Sequence, residues 1–467
     1  MVSFRSARWA SKALLPLVLA AAGADARVFV VDAERDGADS QVGDGICADA
    51  TGACTLRAAI QEANALAGAD EIWLQPWSPD APISYRIDIG AAGNGEDHAA
   101  TGDLDIRDSL VVRRHPDHDS GLVEIAGNMS AVNPADRIFD VHLQAESMQV
   151  LFTDLMVANG VYPDPEADGA GVRIGAIGSV ELRRVVLSAN FGHGTGTALS
   201  VHGRAALVDS VVFDNHQSRD GKDKVGGGAL RVAAGATLDI DNVLVTDNRV
   251  WRGGALLVEG AGAVARVRRA FFRNGVDIAA GAGGQVLVEN ATLVGQEQAR
   301  ADAGGRIELV HTTLSRTLAS APSVVAFHVD GSGAGISLAN SVVEAAAGGP
   351  ANCSAPAGAI TSLGGNVFAV GPPCAIALQS SDRVVVDPQL VAVRAPPPLP
   401  VMPGTYHYAM APAPGSPVID AAVPQRCPVL DQFGSARPEP ASGAACDSGA
   451  IEWPLDRLFD HGFELSF

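Results

Sequence analysis

The sequence predicts an all-β solenoid, a parallel β-helix with a helix-containing cap before its coils and a disulfide-bearing region after them. Three observations carry this. Five segments close on Asn in a shared pattern: Thr153-Asp-Leu-Met-Val-Ala-Asn159, Arg184-Val-Val-Leu-Ser-Ala-Asn190, Asp209-Ser-Val-Val-Phe-Asp-Asn215, Asn242-Val-Leu-Val-Thr-Asp-Asn248 and Arg268-Arg-Ala-Phe-Phe-Arg-Asn274. The closing Asn residues lie 31, 25, 33 and 26 residues apart, a period at which repeats stack on their neighbours. Runs such as Val180-Glu-Leu, Ala206-Leu-Val, Thr237-Leu-Asp-Ile, Gln285-Val-Leu-Val and Arg306-Ile-Glu-Leu alternate with period two, as strands with one interior face do. Glycine-rich turns recur before second strands, at Gly169-Ala-Gly-Val, Gly196-Thr-Ala-Leu and Gly226-Gly-Gly-Ala-Leu. The unit is too short to hold a helix as well as its turns, so a β-helix fits better than a leucine-rich horseshoe. An Asn at one corner of every coil can stack its amide on the next.

The elements follow in order. Residues 1–26 read as a secretory signal peptide, with Arg5, Arg8 and Lys12 ahead of an apolar stretch and Ala24-Asp-Ala26 as the cleavage site. That apolar stretch is too short for a stop-transfer helix, and the sequence predicts an exported protein without a transmembrane segment. Residues 27–145 form an N-terminal cap and first coils, with strands at Val28–Val31, Glu71–Leu74, Tyr85–Ile89, Leu104–Ile106 and Leu110–Val112. A helix is expected from Thr55 to Ala67: Thr55 caps it, Leu56, Ile60 and Ala63 share a face, and Gly68 ends it. Such a helix covers the apolar end a solenoid otherwise exposes. Coils fill 146–350, a Pro- and Gly-rich region fills 351–453, and a short tail spans 454–467. Within the third region Ala395-Pro-Pro-Pro-Leu-Pro reads as a stiff linker or surface strap.

Six cysteines in an exported chain favour disulfides over metal or redox chemistry. Sequential pairing gives Cys47 with Cys54, Cys353 with Cys374, and Cys427 with Cys446. No C-x-x-C occurs. The net charge of −20 repels nucleic acid and anionic membrane at long range.

Two motif-rich stretches carry a resemblance. Gly43-Asp-Gly-Ile-Cys47 and Cys54-Thr-Leu-Arg-Ala-Ala-Ile60-Gln-Glu-Ala-Asn64 resemble the CSLREA family of exported bacterial proteins, as do Gly102-Asp-Leu-Asp-Ile106 and Arg137-Ile-Phe-Asp-Val141. Gly415-Ser-Pro-Val-Ile-Asp420, Asp431-Gln-Phe-Gly434, Arg437-Pro438 and Cys446-Asp-Ser-Gly-Ala-Ile-Glu452 resemble the choice-of-anchor Q domain. The resemblance implies right-handed parallel β-helix repeats between them. Thr55 and Ala58 stand where the motif's name has Ser and Glu. The tail Leu458-Phe-Asp-His-Gly-Phe-Glu464 is similar to one on some Gram-negative secreted proteins. The family implies no settled activity.

Parallel β-helices bind or cleave polysaccharide along one long face, where side chains from successive coils line up. A lyase needs a group to neutralise the uronate, such as carboxylate-held Ca²⁺, and an Arg or Lys as base. The best local match is the insertion Asp214-Asn-His216-Gln-Ser-Arg219-Asp220-Gly-Lys222-Asp223-Lys224, with Arg249, Trp251 and Arg252 at the corresponding turn of the next coil. Stacking makes Lys222, Lys224, Arg249 and Arg252 the candidate catalytic bases. Asp214, His216, Asp220, Asp223 and Trp251 become candidate ligand contacts. The bland alternative is a solvated hydrophilic loop. Asp164, Glu166 and Asp168 alternate in an acidic loop suited to Ca²⁺, although nothing in the sequence requires a cofactor. His142, His202, His311 and His328 fall within strand patterns and read as ordinary coil positions. There is no H-E-x-x-H and no G-x-S-x-G. The expected function is a secreted or surface-exposed scaffold, adhesin or glycan-binding protein, with a polysaccharide lyase or glycoside hydrolase as the alternative. The pattern specifies no oligomeric state.

Overall fold

The computed structural model describes residues 26–75, 84–88, 97–118, 121–127, 136–162, 168–217, 227–250, 254–317, 324–345, 352–395, 399, 407–438, 445–453 and 464–465. Among these, a seventeen-stranded and a ten-stranded sheet, both parallel, wind round one apolar core. The core follows from the alternation. Leu104, Phe139, Val172, Leu199, Leu230, Leu256, Ile278, Ala299 and Phe327 stand in one register column of the ten-stranded sheet, and all are buried. Phe152, Leu182, Leu207, Ile240, Val267, Val288, Leu309 and Leu338 form the facing column of the larger sheet. Like thus stacks on like, coil after coil.

Two corners shape each coil. The first bends the long strands, such as Ser179–Ser188 and Arg204–Phe213, at one residue of positive φ: Asp154, Arg184, Asp209, Asn242, Arg269, Asn290, His311 and Asn340 in successive coils, at φ between 47 and 62°. The second corner carries the asparagines. Asn190 Nδ2 donates to Asn215 Oδ1 at 2.9 Å, Asn215 Nδ2 to Asn248 Oδ1 at 2.9 Å, and Asn248 Nδ2 to Asn274 Oδ1 at 3.2 Å. Each oxygen also accepts a backbone N–H from the coil before, so the ladder satisfies polar groups that the turns leave buried. Asn159 is not a rung. Gly160 holds that register and donates its N–H to Asn190 Oδ1 at 3.0 Å, whereas Asn159 takes positive φ just before it. At the other end the fully buried Asp277 accepts from Asn274 N, Val294 N and Gly295 N at 2.9, 2.9 and 2.6 Å.

The helix spans Leu56–Ala65, two residues short of expectation, and Thr55 Oγ1 accepts from Ala58 N at 3.1 Å. Leu56, Ile60 and Ala63 pack into the core as a lid on the first coils. Arg57 is fully buried: its guanidinium grips Asp36 at 2.7 and 2.9 Å and donates to Ala99 O and Gly102 O at 3.0 and 2.7 Å. Glu62 accepts from Gly45 N, and Asn64 donates to Asp105 O, both at 2.7 Å. The motif around the first disulfide is therefore a clamp between cap and first coil.

The C-terminal region folds back along the flank of the solenoid. Leu390–Ala395 pairs antiparallel with His407–Pro412 and with Glu464–Leu465. Leu399, in the Pro-rich stretch, joins an apolar stripe of Val186, Val211, Leu244, Phe271 and Val294 on the outside of the long strands. The positive-φ corners become docking points: Asn290 Nδ2 donates to Leu430 O at 2.6 Å, Asn340 Oδ1 accepts from Val423 N at 2.7 Å, and Arg437 meets His311 Nδ1 at 3.0 Å. Arg437 is buried against Glu452 at 3.1 Å. The disulfides join Cys47 to Cys54, Cys353 to Cys374 and Cys427 to Cys446, with Cα separations of 4.9, 5.7 and 6.2 Å. This is the sequential pairing expected. No helix among the described residues is long and apolar enough to cross a membrane.

Candidate functional site: a polar rail on the ten-stranded sheet

Nine of the ten strands of the ten-stranded sheet contain an apolar–x–apolar triplet whose outer residues join the core columns and whose middle residue lies on the opposite face of the sheet. Register stacks these middle residues as Asp105, Asp140, Arg173, Ser200, Arg231, Leu257, Ala279, Arg300 and His328. His142 and His202 lie two residues beyond Asp140 and Ser200, while Glu259 and Asp302 hold the same place beyond Leu257 and Arg300. The result is a rail of polar side chains at the ~4.8 Å strand spacing, broken for two coils at Leu257 and Ala279.

The rail is knitted by ion pairs. At its first end Arg137 Nη1 lies 3.2 Å from Asp103 and 2.7 Å from Asp140, and its guanidinium sits 4.4 Å from the centre of the Tyr162 ring. Arg173 reaches Asp140 at 3.0 Å and Asp168 at 3.3 Å. Asp168 Oδ2 then collects Ser200 Oγ at 2.7 Å, His202 Nε2 at 2.6 Å and Arg231 Nη1 at 2.7 Å. Arg231 continues to Glu259 at 2.8 Å. Further along, Arg300 meets Asp302 at 2.6 Å, and His328 lies 3.7 Å from Glu297.

These contacts set the charge states. Burial first, then the Asp136 carboxylate, push Asp103 up to about 8 against the pull of Arg137. Burial opposes charge on Asp168 too, yet hydrogen bonds from His202 and Ser200 and the charge of Arg231 hold it well below the usual carboxylate range. Asp140 is lowered against burial by His142, Arg137 and Arg173, and the hydrogen bond to Asp140 in turn raises His142.

Asp103, Asp105 and Asp140, and likewise Asp97, Asp105 and His142, bring oxygen or nitrogen atoms within 4.8 Å of one another. Ca²⁺ fits the first trio poorly, because Arg137 stands between Asp103 and Asp140 in the cation's place. Asp168, expected in an acidic ion-binding loop, has its carboxylate engaged by Arg173, Arg231, His202 and Ser200. Asp164 and Glu166 lie outside the described residues.

The insertion stripe is brought together in part. Val161–Tyr162, Phe191–Gly192 and His216–Gln217 form a three-stranded parallel sheet, and His216 bridges to Arg249 in the next coil. Asp214 Oδ1 lies 2.8 Å from His216 Nε2. Asp220, Lys222, Asp223, Lys224, Trp251 and Arg252 lie outside the described residues. Tyr162, against Arg137, joins this small sheet to the rail. Three histidines read as ordinary coil positions, His142, His202 and His328, prove to be rail residues, whereas His311 is a buried docking point. The triplets Leu104-Asp-Ile, Phe139-Asp-Val, Val172-Arg-Ile, Leu199-Ser-Val and Leu230-Arg-Val carry the signal that finds the rail.

The stacked parallel sheets define a fold class, the right-handed parallel β-helices. Within that class, the crystal structure of pectate lyase Pel9A superposes on 92% of this chain and 98% of its own, with a TM-score of 0.52 and 14% sequence identity. At that identity the likeness establishes the fold alone. No family profile matches the chain, and no curated protein sequence matches it.

Proposed function

We propose that this is an exported β-helix protein that binds polysaccharide along the rail without turning it over, as a scaffold or adhesin facing the cell surface. The reading extends to membership of the CSLREA and choice-of-anchor Q group, whose motif residues Arg57, Glu62, Arg437 and Glu452 serve here as structural clamps. One observation carries it: the partly exposed Arg173, Arg231, Arg300 and His328 stand in one register column across the coils, beside the buried Asp105, Asp140 and Ser200. Donors and acceptors repeated at a fixed spacing suit a polymer of repeating hydroxyls. The rail arginines named above are each paired with carboxylates, which suits holding a ligand better than abstracting a proton.

The second reading is a polysaccharide lyase or glycoside hydrolase acting along one β-helix face, at the 214–252 stripe, with Lys222, Lys224, Arg249 and Arg252 as bases. It is favoured by the likeness of the fold to that of a pectate lyase. The test is a turnover screen of the secreted protein, with and without Ca²⁺, against acidic and neutral polysaccharides, run beside affinity electrophoresis in the same polymers. Retention without new reducing or unsaturated ends supports the binder. New ends that vanish when the four basic residues become Ala support the enzyme.

A further inference from the structure

We propose that removal of the signal peptide completes the fold. Cleavage between Ala26 and Arg27 frees an α-ammonium that pairs with the buried carboxylate of Asp70 and fastens the first strand of the solenoid. The inference goes beyond the binding reading above and takes from it only export, which places the cut after Ala24-Asp-Ala26. Asp70 is 0% exposed and heads the strand Asp70–Leu74. Val28–Val31 runs beside that strand in parallel register, from Val28 with Glu71 to Val31 with Leu74. One residue before this register begins, the Arg27 N–H donates to Asp70 Oδ1 at 2.7 Å. Asp70 Oδ2 is buried as well and has no hydrogen-bond partner among the described residues.

A buried carboxylate calls for a cation, and the one described hydrogen bond to this one comes from a neutral amide. The Arg27 guanidinium is engaged elsewhere, donating from Nη1 to Gly45 O at 3.1 Å. Burial, and then the neighbouring Asp108 carboxylate, raise the Asp70 pKa against the hydrogen bond and charge of Arg27. Asp108 itself accepts from Ser109 N at 2.6 Å and supplies no proton to Asp70. Hydrolysis changes the donor. A leader-removing peptidase adds water across the Ala26–Arg27 amide, so Ala26 leaves as a carboxylate and the Arg27 nitrogen gains a hydrogen. That amine takes a further proton from solvent near neutral pH. The same atom then carries three N–H donors and a full charge, enough for both oxygens of Asp70. The orphaned oxygen gains a partner, and the charge that burial opposes is neutralised in place. A precursor, by contrast, holds its first strand less firmly, which suits a chain exported before it folds.

The full secreted chain provides the test. N-terminal sequencing should read Arg27 first. The α-amine is then labelled with acetic anhydride across pH and followed by peptide mass spectrometry. Its midpoint should lie about one pH unit above the ordinary ~7.7–8.0, because the Asp70 carboxylate favours the ammonium. Asp70→Asn keeps the accepting oxygen and removes the charge, so it should return the midpoint to the ordinary range, with circular dichroism reporting the fold. A chain made to begin one glycine earlier has an amide at Arg27 again and should melt at a lower temperature than the secreted chain. Asp70→Asn should also cost the extended chain less than it costs the secreted one. If Asp70→Asn does not fold, the comparison of secreted and extended chains decides alone. A secreted chain that starts at any other residue overturns the inference, and if that residue is Met1, export by leader removal falls with it. A chain that starts at Arg27 with an ordinary midpoint, or an extended chain as stable as the secreted one, overturns the pairing and leaves export standing.

Discussion

Replacing Asn215 by Ala removes the middle rung of the asparagine ladder. In the parent, Asn215 Oδ1 accepts from Asn190 N at 3.1 Å and Asn190 Nδ2 at 2.9 Å, while its amide donates to Leu187 O at 2.9 Å and Asn248 Oδ1 at 2.9 Å. All of this is enclosed, for Asn190 and Asn215 are each 0% exposed and Asn248 is 3% exposed. Truncation orphans the Asn190 donors and the Leu187 carbonyl, whereas Asn248 Oδ1 keeps the N–H of residue 215. A buried polar group left without its partner costs roughly 1–3 kcal/mol. Three such groups, partly relieved by water entering the space, put the cost at about 3–5 kcal/mol, a large share of the ~5–15 kcal/mol that folded domains possess. The assay is urea unfolding followed by circular dichroism, with Asn159→Ala as the control. That site lies outside the ladder and should cost about 1–2 kcal/mol, for its positive φ. Asn215→Asp sharpens the test. A carboxylate there faces the Leu187 carbonyl and Asn248 Oδ1 with no proton to offer, so its folded pKa is raised above the ordinary ~3.9. Its stability is therefore present at low pH and lost as pH rises through the raised value. An Asn215→Ala midpoint no lower than that of Asn159→Ala would refute the ladder as a stabilising device.

His407, enclosed by Phe271 and Phe433, is pushed down to about 3 by burial and then by the charge of Arg269. Because the folded pKa lies below the unfolded ~6.5, stability is full above pH 6.5 and falls towards pH 3, by up to about 5 kcal/mol. His407→Gln should flatten that acid limb, read as thermal midpoint against pH. Arg57→Lys should cost about 3–5 kcal/mol, since an ammonium cannot reproduce the fork on Asp36 and the two carbonyls, and a midpoint matching the parent would argue against the clamp. Peptide mapping without reductant should recover three local links, and reducing Cys353–Cys374 alone should lower stability by about 3 kcal/mol for its separation of 21 residues. A Cys47–Cys353 peptide would overturn the pairing.

The coils were legible because stacking makes each repeat solve the same burial problem, so the apolar alternation and the corner Asn recur. Asn159 misled because coils differ by one residue before the corner, and only backbone pairing reveals that Gly160 holds the rung. The positive-φ corners were legible only in part: Asp154, Asp209, Asn242, Asn290, His311 and Asn340 are residue types that favour a left-handed bend, whereas Arg184 and Arg269 are not. The rail was harder to see. Each strand contributes one outward residue, and loops of unequal length separate these residues in sequence. Chemistry that is contiguous in space is thus scattered from Asp105 to His328. The insertion 214–224 attracted notice by density of charge, a signal that also marks plain solvated loops.

The fold-back of the C-terminal region bears on how the chain assembles. Ladder contacts join residues 25 to 33 apart, such as Asn190 to Asn215 and Asn215 to Asn248, so coils can form in turn as the chain emerges. The contacts of Asn290 with Leu430, Thr292 with Gln432 and Ala450 with Thr313 span 140, 140 and 137 residues. Until those last residues arrive, the apolar outer stripe from Val186 to Val294 lacks Leu399 and its neighbours as a cover. A chain cut short before residue 399 would therefore carry finished coils with a sticky side, and would be expected to aggregate or be proteolysed. Closure of that flank marks the finished molecule, a checkpoint in time set by distance along the chain.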